Sequence, residues 1–118
     1  MDASEYQQQA ARTLLDSPDH DVPDLGLMLV WNALGLAGEA GEVAEHIKKG
    51  VLHRHGIDQQ LLAKELGDVL WYVAALCTKA GIDMGEVMQA NIDKLKSRYP
   101  DGYSSADSIR RVDVGGAA

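Results

Sequence analysis

Apolar residues recur along this chain at helical spacing, and nowhere do they alternate convincingly as a strand requires. Four helices are predicted. The first runs from about Ser4 to Leu15, opened by a capping box of Ser4 with Gln7 and closed before "SPDHDVPD", where Pro18 and Pro23 break any continuation. The second, from about Asp24 to Lys49, carries a stripe of Leu25, Leu29, Leu36, Val43 and Ile47, widened by Ala33, Ala40 and Ala44. Lys48 and Lys49 complement its dipole, and Gly50 is a natural left-handed stop. The third starts at the N-cap Asp58 and ends before Gly81; its seam of Leu62, Leu66, Val69, Val73 and Leu76 predicts antiparallel packing on the second. The fourth opens with Asp83 and Glu86, continues through Val87, Ala90, Ile92 and Leu95, and stops at "YPDG". Residues 104–118 read as a partly disordered tail after a single domain over 1–103. An all-α four-helix bundle follows, and the girth of the apolar second helix predicts burial by a second subunit, as a homo-oligomer.

The stretch "GLAGEAGEVAEHIKKG" strains this pattern, because Gly35, Gly38 and Gly41 fall inside a helix. Each costs about 0.5–1 kcal/mol relative to alanine, so these glycines, with Gly67 on the third helix, are expected where another helix or a ligand approaches closely.

Composition removes several function classes. With 18 acids against 11 bases the net charge is −7, which argues against nucleic acid and anionic lipid as partners. No apolar run approaches the roughly 20 residues that span a bilayer, and the polar start "MDASEYQQQA" lacks the features of a signal peptide, so a cytoplasmic location is expected. The single cysteine, Cys77, lies in "VLWYVAALC" and reads as a buried core thiol.

The chemistry lies in two carboxylate pairs. Glu39 and Glu42 on the second helix, and Glu65 and Asp68 on the third, are both spaced i, i+3, which places each pair about 60° apart on one helix face. If the stripes pack together, four acids converge at the rim of the interface and require a positive charge between them. The alternative is a solvated face with i, i+4 ion pairs, Glu45 with Lys49 and Lys64 with Asp68. An all-carboxylate set is a hard oxygen site, suited to Mg²⁺ or Mn²⁺ and poor for zinc. Di-iron bundles are excluded, since none of His20, His46, His53 and His55 follows a glutamate by three residues.

Around these acids, Asn32 and His46 project onto the same face of the second helix, and Tyr72 lies one turn beyond Asp68. Asn32 is a candidate ligand contact, against a bond to its own helix backbone or to water; Tyr72 is a candidate to support a metal ligand or contact a substrate, against a core-edge tyrosine. His46 reads as exposed or ion-paired and stays outside the site, and Trp31 reads as core, with stacking on a ligand's ring the alternative. Asn91, Lys94 and Arg98 line one face of the fourth helix at three-then-four spacing.

Taken together, "GLAGEAGEVAEHIKK", "KELGDVLWYVAAL" and "NIDKLKSRYPDGY" resemble the MazG-like family of all-α nucleoside triphosphate pyrophosphohydrolases, over a span from about Glu5 to Tyr103. The resemblance implies that Glu39, Glu42, Glu65 and Asp68 hold two or more Mg²⁺ ions. A water then attacks the α-phosphorus of a nucleoside or deoxynucleoside triphosphate, releasing nucleoside monophosphate and pyrophosphate. One of the same carboxylates, Glu42 being a candidate, acts as base. It further implies that Asn91 and Lys94, with Arg98 beside them, face the phosphates, and that the chain assembles as a dimer or tetramer. Many members begin the first motif with two adjacent glutamates; here the leading position is Gly38, which leaves four ligands rather than five. Two other readings stay open: phosphoribosyl-ATP pyrophosphohydrolase, and a non-catalytic dimerisation module with a vestigial metal site.

Overall fold

The computed structural model describes residues 1–17 and 24–110; Pro18, Pro23 and the "VDVGGAA" end lie outside the described residues. Those residues are all helical apart from turns and loops, with no strand and only an isolated bridge between Pro100 and Gly102. No described helix is long and apolar enough to cross a membrane. The chain divides into two compact units, Met1–Asp83 and Met84–Ala118.

In the first unit, α1 spans Ala3–Ala10 and tightens into a 3₁₀ turn over Ala11–Thr13. Its cap is Asp2, not Ser4. The Asp2 carboxylate accepts from the Glu5 N–H at 2.8 Å, and Glu5 accepts from the Asp2 N–H at 3.1 Å. Ser4 is thereby left to donate to Asp83 at 3.2 Å, and Gln7 to the Ile82 carbonyl at 2.9 Å, which fastens α1 to the far end of α3.

The long helix α2 covers Leu25–Leu52, capped by Asp24, whose carboxylate accepts from the Leu27 N–H at 2.8 Å. It runs through Gly50 instead of stopping there. The chain turns at Arg54 and Gly56, both at positive φ, and folds back so that His55 and Gly56 donate to the carbonyls of Lys49 and Gly50. A Cβ on Gly50 would lie 2.8 Å from the Gly56 carbonyl oxygen. Gly50 is therefore a close-approach glycine inside the helix.

Helix α3, Gln59–Ala80, begins as expected at Asp58, whose Oδ1 accepts from Gln60 and Leu61. It ends at Gly81 in the left-handed region, with Ile82 donating to Cys77 and Gly81 to Thr78, the paired bonds of a Schellman cap. Helices α2 and α3 pack closely along one another, and α1 lies on α3. Cys77 is buried beside Ala74 and Ala75, and burial, with the charge of Asp83 second, pushes its thiol up.

This unit has too few helices to cover α2 on every side. Leu25, Leu27, Val30, Leu34, Val51 and Leu52 are exposed, and Trp31, expected in the core, is 45% exposed. In the second unit, α4 covers Met84–Arg98, and a fifth helix, α5 over Ser105–Arg110, occupies the first part of the segment read as a tail. Ser104 caps it through the Asp107 N–H.

Candidate functional site

Antiparallel packing of α2 on α3 sets the register of the acids. Each turn up α2 meets a turn down α3: Gly35 lies against Tyr72, Glu39 shares a recess with Asp68, and Glu42 shares another with Glu65. The two i, i+3 pairs thus face each other as two cross-helix pairs.

The first recess, about 320 Å³, is lined by Glu39, Asp68, Trp71 and Tyr72. Gly35 makes it possible, since a Cβ there would come within 2.2 Å of the Tyr72 ring. Trp71 meets Tyr72 edge-on at 5.0 Å and donates its indole N–H to Thr13 at 3.0 Å, so the aromatic wall is tied to the 3₁₀ turn that follows α1. Tyr6, also from α1, donates to the Gly67 carbonyl at 3.4 Å. Burial, and then the negative charge of Asp68, pushes its phenol up. Among the described residues a Cβ on Gly38, Gly41 or Gly67 would meet nothing, whereas the close approach expected of these glycines is seen at Gly35, and also at Gly50.

The second recess, about 290 Å³, includes Glu42, His46, Lys49, His55, Asp58 and Glu65 in its lining. Here His46, set aside on sequence grounds, sits inside. Its Nε2 accepts the Asp58 N–H at 3.2 Å, so the ring proton lies on Nδ1, which donates to Glu65 Oε1 at 3.3 Å. The other carboxylate oxygen, Glu65 Oε2, is buried with no hydrogen-bond partner among the described residues. At the rim, Lys48 and Lys49 both bind Glu45, at 3.5 and 3.4 Å, and their charge, Lys48 first, holds its carboxyl below the usual range.

Among the described residues, no three His, Cys, Asp or Glu side chains form a ready metal cage. Four like charges without a cation have no reason to close on one point. The donor set nevertheless fits a hard cation: a buried carboxylate oxygen without a partner is costly, and Glu65, which carries it, lines the recess shared with Glu42.

The remaining candidates are placed as follows. Asn32 is 2% exposed and donates to the Met28 carbonyl at 2.8 Å, a bond to its own helix. Asn91 and Lys94 are exposed on α4, in the second unit, and the Arg98 guanidinium lies 5.8 Å from the Tyr99 ring centre. Sequence reasoning missed Tyr6 and Trp71 as neighbours of the acids, and it placed His46 on their face of α2 but left it outside the site. The one available signal was the position of His46 one turn after Glu42 on the same face.

The chain is 38% identical over 87 residues to the Gene 37 protein of Mycobacterium phage L5, an alignment covering 70% of this chain and 76% of that protein. It is 29% identical over 87 residues to dCTP pyrophosphatase 1 of Rattus norvegicus, and equally to that of Mus musculus, covering 69% of this chain and 51% of each. The chain thus spans about half the length of those two proteins. No solved structure matches it significantly. The MazG nucleotide pyrophosphohydrolase domain matches residues 31–103, more than half the chain and the whole of the α2–α3 hairpin from Trp31 onward. This chain belongs to the MazG nucleotide pyrophosphohydrolases, a family of hydrolases.

Proposed function

We propose that the protein is a Mg²⁺-dependent nucleoside or deoxynucleoside triphosphate pyrophosphohydrolase that releases nucleoside monophosphate and pyrophosphate. The buried, unpartnered Glu65 Oε2 beside Glu42 is the observation that carries this reading, because a cation supplies what that oxygen lacks. Glu39, Glu42, Glu65 and Asp68 would hold Mg²⁺, with Mn²⁺ an acceptable substitute. Bound there, the cation would neutralise phosphate charge and make a water more acidic.

The chain's own residues do the rest. One carboxylate of the four takes the proton of the water that attacks the α-phosphorus. Tyr72 and Trp71 wall the recess of Glu39 and Asp68 and offer an aromatic surface to the nucleoside. Asn91, Lys94 and Arg98 are proposed phosphate contacts, and Asn32 supports the site through the α2 backbone. The exposed apolar side chains of α2 support assembly as a dimer or tetramer, since contiguous apolar surface of this kind marks an interface.

The test is pyrophosphate release from a panel of nucleotides with Mg²⁺ and with chelator, starting from dCTP, the substrate in the names of two relatives. Release that needs Mg²⁺ supports the reading. Release unaffected by chelation, or none from any nucleotide, contradicts it.

A further inference from the structure

We propose that His46 is a positioning residue for the metal-binding carboxylate: one imidazole ring ties Glu65 Oε1 to the start of α3, leaving Oε2 as the oxygen offered to a cation. This rests on the Mg²⁺ reading above and says how this chain holds one of its ligands ready.

The geometry is a two-ended strap. His46 lies one turn after Glu42 on α2, and its side chain is only 9% exposed. One edge of the ring accepts from the Asp58 N–H, the other meets Glu65 Oε1. Asp58 is also the N-cap of α3, its carboxylate accepting from Gln60 and Leu61. Glu65 follows Asp58 by about two helical turns, so both lie on the face of α3 turned toward His46. Among side chains, a rigid ring with a donor on one edge and an acceptor on the other is peculiar to neutral histidine. The backbone donor at Asp58 selects the tautomer, and the tautomer puts a proton where Glu65 needs one.

The consequence lies in Glu65. A free glutamate with one buried, unpartnered oxygen would rotate to solvent, since the side chain has the freedom to do so and burial of the charge is costly. The bond from His46 opposes that rotation. Histidine ligands on metals are commonly oriented by a carboxylate partner; here the roles are exchanged, with a histidine orienting a carboxylate ligand.

The experiment is Mn²⁺ titration of the nucleotide-free protein, read by electron paramagnetic resonance, on the wild type, Glu65→Gln, His46→Phe and His46→Asn, with helix content and thermal melting followed in parallel. Asparagine keeps an amide donor where Nδ1 stood, whereas phenylalanine keeps the ring shape and loses both bonds. E65Q should lose Mn²⁺ binding, H46F should weaken it about 10–100-fold, and H46N should recover most of that loss. Should H46F bind Mn²⁺ like the wild type while E65Q does not, the His46 proposal is overturned and the metal reading stands. H46N as weak as H46F also overturns it, because the effect would then come from packing. If the wild type and E65Q bind alike, the metal reading fails and His46 falls with it. If H46F does not fold, H46N decides alone: near-wild-type binding is expected, and loss comparable to E65Q overturns the proposal.

Discussion

The two ends of the carboxylate groove are built from the same helices at the same spacing, yet they differ in kind. At one end Glu39 and Asp68 line a recess walled by Trp71 and Tyr72. At the other, Glu65 is held by His46 with one oxygen buried and unpartnered, in a recess that includes Glu42, Lys49 and His55. Identical sequence spacing thus yields one pair that solvent reaches and one in which Glu42 is exposed but a single oxygen, Glu65 Oε2, lies out of its reach. What separates them is the chain reversal at Arg54 and Gly56, which seats the start of α3 against His46 and Gly50. On this account the end that buries Glu65 Oε2 anchors the cation, and the end walled by Trp71 and Tyr72 admits the nucleotide.

The largest expected effect is on turnover. Glu65→Gln should lower the rate of pyrophosphate release about 10²–10³-fold, the equivalent of several kcal/mol of transition-state stabilisation. Asp68→Asn should also remove activity, since the four acids are proposed to act together. The two should part company on stability: without metal, E65Q relieves a buried charge and raises the melting temperature, whereas D68N, on an exposed side chain, shifts stability by less than about 0.5 kcal/mol. Equal shifts would erase the difference between the ends.

The glycines sharpen the same comparison. Gly35→Ala drives a methyl group into the Tyr72 ring and should cost about 1–3 kcal/mol in chemical denaturation, with loss of the aromatic wall of the recess of Glu39 and Asp68. Gly38→Ala enters open space on the same helix and should stabilise by about 0.5–1 kcal/mol. A destabilising G38A would place a second subunit or a ligand against that position.

A smaller effect is read by pH. The Tyr6 phenol is pushed above its ordinary value by burial and by Asp68, so the fold favours the protonated form. That contribution is fully present below the ordinary tyrosine value, about 10, and is lost as pH rises through the higher folded value. Tyr6→Phe should therefore flatten the alkaline fall in stability, and should cost about 0.5–1.5 kcal/mol at neutral pH for the lost bond to Gly67. Denaturation of both proteins at pH 7 and above pH 10 checks this.

Much of the scaffold was legible in the sequence because its determinants are local. The Asp58 cap, the Gly81 stop and the burial of Cys77 each follow from a few neighbouring residues. Two stripes and an antiparallel turn put the acids of α2 and α3 on facing turns, but the sequence had all four converging on one place, whereas they divide between two recesses. Ser4 was mistaken for the α1 cap because Asp2 and Ser4 are both competent caps, and the long-range bond to Asp83 claims the serine. Gly50 looked like a stop because its constraint, the carbonyl of Gly56, is delivered only once the chain turns back. Trp31 looked like core because periodicity reveals which face is apolar but not how many neighbours arrive to cover it. His46 was set aside because both its partners, 12 and 19 residues away, come to it only through the fold.

The most direct test of the central claim is calorimetric titration with an α,β-imido analogue of dCTP, with and without Mg²⁺. If the carboxylates between α2 and α3 form a cation-bridged triphosphate site, nucleotide and metal must strengthen each other's binding, as linkage requires. In a chain of net charge −7 the analogue alone should then bind weakly, and Mg²⁺ should raise its affinity at least about tenfold. Equal affinity in both conditions would contradict the account.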